Sequence, residues 1–306
     1  MTIFAIIVTY NAMRHSWMER CLNSLKDSTV PITPIVIDNG SKDGTGNYVM
    51  EHFPNTIWLP QDKNLGFGQA NNVGLRYALK ENADYVLLLN QDATIGSDAI
   101  EKMLPFCNIN TLMSPIHLNG DASKLDSVFK LCLQGSKNSL LDDLLVTKSL
   151  KSTYSGPEFS TGRVIPAACW FLPMSIIKNI GGFNPLFFHY GEDDNYFQRL
   201  NYHHVNIKIC PLATMSHDRG EHGNMQVFNQ KRIRRMLLRS ATNINISLIG
   251  CLKEWGRILL NCYLSEMPKR NYIPGQFSVG IIWIIFHLHK IAISRKKERK
   301  GGLIWL

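Results

Sequence analysis

Four short apolar runs in the N-terminal third constrain this chain more than any other feature. Ile3–Val8, Ile35–Ile37, Ile57–Leu59 and Tyr85–Leu89 are too short for core helices and rich in branched side chains. Each reads as a strand buried on both faces. Between them Trp17, Cys21, Leu22 and Leu25 recur at helical spacing over residues 14–27. Asp43 stands where it caps a helix running through Tyr48 to His52. Ala70, Val73, Leu75 and Leu79 are periodic over residues 69–80, and a further helix is expected over Asp98–Phe106. The alternation of strand and helix predicts an α/β fold with a doubly wound, mostly parallel sheet. Ligands bind beyond the carboxyl ends of the strands in such sheets. The polar clusters that follow the runs are therefore the places to look: Thr9-Tyr10-Asn11, Asp38-Asn39-Gly40-Ser41 and Asn90-Gln91-Asp92.

The 306 residues, 45% hydrophobic and 19% charged, exclude a disordered chain and suffice for one large α/β domain with an extension. Seven cysteines without a C-x-x-C pair argue against a zinc site or a disulfide framework and for a reducing cytosol. The opening MTIFAIIVTYN has no basic segment or small-residue cleavage site, so it is not expected to be a signal peptide, and its apolar run is too short for a bilayer. Charge divides the chain. Residues 231–306 hold 15 basic and 3 acidic side chains, and the preceding 230 hold 18 and 21, so the net +9 comes from the C-terminal part. An acidic body with a basic tail suggests an anionic partner for the tail, membrane lipid or nucleic acid.

Several clusters carry candidate chemistry, each with a plainer reading beside it. Asp38, at a strand end with Asn39 and glycines, suits hydrogen bonds to a nucleobase or ribose; it also suits a tight turn. Asn64, Gly66 and Gln69 belong to a glycine-rich segment before a helix that lacks the lysine of a phosphate loop, and a close-packed turn explains it equally. Asp92 stands where a carboxylate can hold Mg²⁺ or Mn²⁺ against a diphosphate, or cap a helix. Glu192, Asp193 and Asp194 are adjacent acids whose mutual repulsion raises at least one pKa, which suits a general base; acids also favour a helix N-terminus. His217, in Ser216-His217-Asp218 with His222 nearby, is a candidate ligand of the same metal or a structural histidine. Residues 119–160 are polar and read as irregular or weakly helical, an active-site flap or a surface insertion.

The tail from Asn224 to Leu264 is mostly helical in pattern. Phe277–Ile293 is strongly apolar but carries His287, His289 and Lys290, and charges at a bilayer centre are costly. An interfacial helix with the polybasic end Arg295–Lys300, lying on the cytoplasmic membrane face, is preferred over a span, with a core helix packed on the first domain as the alternative. The expected division is a catalytic domain over 1–222 and a basic helical region over 223–306.

Taken in order, Ile7-Val8-Thr9-Tyr10-Asn11, Val36-Ile37-Asp38-Asn39-Gly40-Ser41, Asn64-Leu65-Gly66-Phe67, Leu89-Asn90-Gln91-Asp92, Gly181-Gly182-Phe183-Asn184 and Gly191-Glu192-Asp193-Asp194 resemble glycosyltransferase family 2, in particular its bacterial rhamnosyltransferase-like members. The resemblance covers roughly residues 1–220. It implies the GT-A fold and an inverting transfer from a UDP- or dTDP-sugar to a glycan or lipid-linked acceptor in surface polysaccharide synthesis. Thr9, Tyr10, Asn11 and Asp38 would line the nucleoside pocket, with Asn39, Asn64, Gly66, Gln69, Asn90 and Gln91 as further donor contacts. Asp92 and His217 would hold the divalent cation, Mn²⁺ or Mg²⁺, and Asp193 would be the catalytic base. Glu192, Asp194 and Trp170 are expected on the acceptor side. The family's usual first Asp of its D-x-D motif is Asn90 here, which weakens metal binding and supports the alternative of a non-catalytic sugar-nucleotide module. A nucleic-acid partner is not expected, because the strand-end acids repel phosphate.

Overall fold

The computed structural model describes residues 1–133, 164–219, 232–266 and 276–306. The four apolar runs are strands: β1 (Ile3–Thr9), β2 (Thr33–Asp38), β3 (Ile57–Pro60) and β4 (Tyr85–Asn90). They pair in parallel in the order β3-β2-β1-β4, so the chain leaves β1 in one direction and returns to its other side. That reversal makes the carboxyl ends of β1 and β4 the switch point of the sheet. Helices α1 (Trp17–Lys26), α2 (Thr45–His52) and α3 (Phe67–Lys80) connect these strands. Phe4 and Ile6 of β1 join one apolar layer while Ile3, Ala5 and Ile7 join the other. The sheet is thus covered on both faces, as its uninterrupted hydrophobic strands require.

Two local expectations are adjusted. Asp43 does not cap α2; Gly44 occupies the cap position with φ of 85°, and Asp43 accepts the Thr45 amide in the preceding turn. The helix expected to Phe106 divides into α4 (Ala99–Met103) and a 3-10 turn, Leu104–Phe106, because Pro105 cannot continue the α-helical ladder.

The second half of the sheet is mixed. After β5 (Ala93–Ile95), β6 (Thr111–Asn119) and α5 (Ser127–Leu133) comes β7 (Cys169–Pro173), which runs antiparallel between β4 and β6. Helices α6 (Met174–Ile180) and α7 (Glu192–Tyr202) lead to β8 (Asn206–His217). β8 lies parallel to β6 with a bulge at Pro115/Ile116, and its end pairs antiparallel with β5, placing Ala93 opposite His217. Of the expected flap over 119–160, residues 134–160 lie outside the described residues, as does His222.

The basic region forms α8 (Arg232–Thr242), α9 (Leu248–Glu266) and α10 (Gln276–Lys300). Ile233, Leu237, Ile258, Ile284 and Ile291 from these helices pack together around Phe187. Part of α10 takes the alternative seat, packed in the protein. One stripe of α10 is buried: Arg295 donates to the carbonyls of Ala241, Asn243 and Ile246 within the basic region, and the fully buried Glu298 accepts from Asn184 of the first domain at 2.7 Å. The last residues close the joint. Gly302 donates to the Asn179 carbonyl at 2.7 Å, and Gly182 donates to the Ile304 carbonyl at 2.9 Å. Gly181, with φ of 82°, has no room for a Cβ beside Ile304, so the Gly181-Gly182 pair serves as the socket for the C-terminal residues.

Candidate active site

Gln91 ties the two strand ends together at the switch point. Its Oε1 accepts hydrogen bonds from Thr9 Oγ1 and from the Tyr10 amide, both at 2.8 Å. Asn11, with φ of 51°, turns the chain out of β1; its amide donates to Ser41 Oγ, and its Oδ1 accepts from the Lys42 amide. Asn tolerates this left-handed backbone because its short polar side chain bonds locally. Ser41 in turn donates through its amide and hydroxyl to Asp38 Oδ1. Residues Thr9–Asn11, Asp38, Ser41 and Gln91 therefore form one hydrogen-bonded rim across β2, β1 and β4. Tyr10 stands half-exposed on it.

The corner beside this rim is built by the β5–β8 pairing. His217 Nε2 lies 3.2 Å from Asp92 Oδ1 and 3.3 Å from Asn90 Nδ2. The Asp218 amide donates to the Asp92 carbonyl, and Arg20 of α1 is paired with Asp218 at 2.6 Å. Asn90 Oδ1 and His217 Nδ1 are buried without a protein partner. Among the described residues no group of three His, Cys, Asp or Glu side chains is placed to hold a metal. One carboxylate and one imidazole, with an unsatisfied amide oxygen beside them, nevertheless fit Mg²⁺ or Mn²⁺, which take few protein ligands and complete their shell with phosphate oxygens and water.

The acids sit at the start of α7, behind Tyr190 with φ of 66° and Gly191 with φ of 98°. Glu192 is buried, and burial followed by the charges of Asp193 and Asp194 pushes its carboxyl up to about 8. Asp193 keeps part of its surface open. Burial and then Asp194 raise it to about 6, against hydrogen bonds from backbone amides. Burial also raises Asp194, while Arg239 of α8, 3.2 Å away, holds it down. A carboxyl lifted toward neutrality suits proton abstraction from a hydroxyl.

Glu192 gives a stability prediction. In the folded chain it stays protonated up to about pH 8, whereas an exposed Glu releases its proton near 4.5. The fold therefore holds the extra proton between these values, and its contribution to stability is full below the lower one and lost as pH rises through the upper one. Glu192→Gln keeps the neutral shape at every pH. Thermal melts are expected to show the variant more stable than the parent at about pH 9 and equal to it at about pH 4.

The glycosyl transferase family 2 profile matches residues 4–112, the segment that contains β1 to β5 and the whole switch point. The N-terminal third of the chain is of the glycosyl transferase family 2 type. It is 22% identical over 304 residues to a dTDP-rhamnosyl transferase of Shigella flexneri, covering 97% of this chain and 90% of that one. It is 26% identical over 214 residues to an N-acetylglucosaminyl-diphospho-decaprenol L-rhamnosyltransferase of Mycobacterium tuberculosis, covering 64% and 69%. A mannosyltransferase from Pyrobaculum calidifontis, solved with GDP-mannose and Mn²⁺, superposes with a TM-score of 0.56 at 14% identity, over 99% of this chain and 85% of that one. The fold is GT-A, and the protein is a glycosyltransferase that uses a nucleotide-sugar donor, related to rhamnosyl- and hexosyltransferases.

Within this glycosyltransferase the expected residues fall into three groups. Thr9, Tyr10, Asn11, Asp38, Asn90, Gln91, Asp92 and His217 gather at the rim and its corner. Glu192, Asp193 and Asp194 form the separate acid cluster. Of the remaining assignments, Trp170 and Asn39 are corrected. Trp170 is fully buried in the sheet core against Phe183 and Tyr196, so it does not reach an acceptor. Asn39 is buried, and both ends of its amide bind the 65–66 backbone. Asn64 accepts the Gly66 amide and Gln69 donates to the Leu65 carbonyl, so both brace the same loop. Gly66, with φ of 79°, is needed because a Cβ there would collide with the Phe188 carbonyl. Arg20 and Arg239 were not singled out from the sequence. Arg20 lies three residues after Trp17 on α1, and Arg232, Arg235 and Arg239 recur at helical spacing, a signal that would have flagged a basic helix face.

Proposed function

We propose that this glycosyltransferase moves a rhamnosyl or hexosyl group, with inversion, from a dTDP- or UDP-sugar to a hydroxyl of a glycan or lipid-linked acceptor in surface polysaccharide synthesis. The observation that carries the reading is the rim at the switch point, where Gln91 joins β1 to β4 next to the Asp92–His217 corner. Thr9, Tyr10, Asn11 and Asp38 bind the nucleoside. Asp92 and His217, with Asn90 Oδ1 beside them, hold the divalent cation, which when bound neutralises the leaving diphosphate. Asp193 accepts the proton of the acceptor hydroxyl as its oxygen attacks the anomeric carbon from the face opposite the nucleotide. Glu192, kept neutral by burial, avoids a third charge beside the base. The dTDP donor and the diphosphate-lipid acceptor are supported by the names of the two bacterial relatives.

Membrane-surface attachment through the C-terminal helices is part of the same proposal. Among the described residues no helix is long and apolar enough to cross a membrane. The side of α10 away from its docked stripe exposes Val279, Ile282, Phe286 and Ile293, and α9 exposes Ile249, Leu252, Leu260 and Leu264. Apolar side chains beside a basic helix end are what an anionic bilayer surface binds.

The test is the product. Proton NMR of the glycoside made from a β-linked dTDP-sugar should show the α-anomer, with EDTA stopping its formation. Asp92→Ala should weaken Mn²⁺ binding, read by EPR of the free ion, by about tenfold or more. Retention at the anomeric centre would contradict the mechanism, and unchanged Mn²⁺ binding would contradict the cation site.

A further inference from the structure

His117 of β6 is a completely buried imidazole that neither the donor rim nor the acid cluster uses. Its ring is fixed on two sides. It stacks on Phe129 of α5, with centroids 4.6 Å apart and planes 12° apart, and its Nε2 lies 3.0 Å from Ser114 Oγ. That hydroxyl has the Pro115 and Cys169 carbonyls at 3.2 and 3.4 Å for its one proton, so its lone pairs accept the Nε2–H of His117. Burial, followed by the charge of His217, pushes the His117 imidazole down to about 3, so the ring is neutral. A neutral imidazole with its proton on Nε2 has a bare lone pair on Nδ1. His117 Nδ1 is buried without a protein partner among the described residues, and so is His217 Nδ1.

The strand register brings the two histidines to one face of the sheet. His117 stands opposite Met215, two residues before His217, so the rings are diagonal neighbours on β6 and β8. The other acceptors on this side are engaged. Asn119, directly opposite His217, bonds Ser123 and the Lys124 amide. Asp126 receives Arg219 on both oxygens and the amides of Val128 and Phe129. At the other end of the His217 ring two tautomers compete. Asn90 Nδ2 only donates, and its 3.3 Å contact with Nε2 asks for a lone pair there and a proton on Nδ1. Asp92 Oδ1, 3.2 Å from Nε2, draws the proton the other way. Only the tautomer with Nδ1–H leaves Nε2 able to bind a cation, and a metal-binding histidine regularly gives its other N–H to a fixed acceptor. We propose that His117 is a positioning residue for the cation corner: its Nδ1 accepts the Nδ1–H of His217 through one bridging water, and so holds the Nε2 lone pair toward Asp92. This rests on the assignment of Asp92 and His217 as the cation's ligands and adds the residue that orients one of them.

The experiment has two readouts on the full chain. Long-range proton–nitrogen NMR gives the His217 tautomer without metal at about pH 8, where an ordinary imidazole is neutral, with the signal assigned by its loss in His217→Gln. EPR of the free ion gives the Mn²⁺ affinity. The chains compared are the parent, His117→Phe, which keeps a ring on Phe129 and removes the acceptor, and His117→Asn, which puts an amide oxygen near the place of Nδ1. The parent is expected to carry its His217 proton on Nδ1. His117→Phe should move that proton to Nε2 and weaken Mn²⁺ by about tenfold or more, and His117→Asn should keep the tautomer and stay within about threefold of the parent. A parent with the proton on Nε2 overturns the proposal. So does His117→Phe with both readouts unchanged, and so does His117→Asn that loses as much as His117→Phe, since His117 would then only fill space. If His117→Phe does not fold, the parent and His117→Asn decide by the same readouts. Failure of the parent to bind Mn²⁺ is directed at the cation site itself, while the metal-free tautomer still tests His117.

Discussion

Asp193→Asn is expected to lower the rate of sugar transfer by about a thousandfold while dTDP affinity stays within about twofold. The change removes one oxygen's ability to take a proton and preserves the side chain's size, so the start of α7 has no reason to move. The Asp194 amide that now donates to Asp193 Oδ1 at 2.9 Å keeps its acceptor. As the proposed base, Asp193 works only when ionised. Because burial and Asp194 raise it to about 6, the rate should fall about tenfold per unit as pH drops below that value, with a plateau above it. An Asp held at its ordinary value would keep the plateau about two units lower. Steady-state kinetics from about pH 5 to 8, with donor binding measured alongside, checks both statements.

Arg199→Met is expected to destabilise the fold by roughly 3–5 kcal/mol, a loss of about 10 °C in Tm. Arg199 is fully buried on α7; it donates to the Gly182 carbonyl at 2.6 Å and to the Ile180 carbonyl, and its guanidinium lies 5.0 Å from the Tyr196 ring centre. It is also the charge that offsets Glu298 of α10, whose carboxyl burial otherwise raises. Asn184 donates to that carboxyl at 2.7 Å. Removing the cation leaves two carbonyls and a buried acid without it. Glu298→Gln in the same chain removes the stranded acid, so the double variant should recover part of the loss in thermal melts. Additive losses in the two single variants would mean that Arg199 and Glu298 are not coupled. The coupling matters because it joins one stripe of α10 in the basic region to α7, the helix that carries the proposed base.

The first half of the molecule was legible because its information is local. Four apolar runs, each followed by polar residues, state both the strands and the places where ligands meet them. The second half depends on contacts between distant residues. Asn90 and His217 are 127 positions apart, and only the turn of β8 onto β5 brings them together. The corrected residues fail for a common reason. A polar side chain after a buried strand has two uses, to face a ligand or to satisfy a neighbouring loop. Asn39 takes the second, while Gln91 binds the Thr9 and Tyr10 groups on the rim itself. Trp170, by its register opposite Leu88, lies inside the sheet core, a placement set by a strand pairing between distant residues. The last helix misleads differently: an apolar first half and a basic second half suggest a surface helix, while the stripe that decides its seat runs through both halves, from Ile284 and Ile291 to Arg295 and Glu298.

The measurement that bears most directly on the account is release of nucleoside diphosphate from dTDP- and UDP-sugars by the purified chain with Mn²⁺ or Mg²⁺, repeated with Gln91→Ala, the side chain that joins the two strand ends. The account predicts release from one donor, stopped by EDTA, and a rise in its KM in the variant. Equal KM in the two proteins, or no binding of any nucleotide by the parent, would contradict a donor site at the β1–β4 switch point.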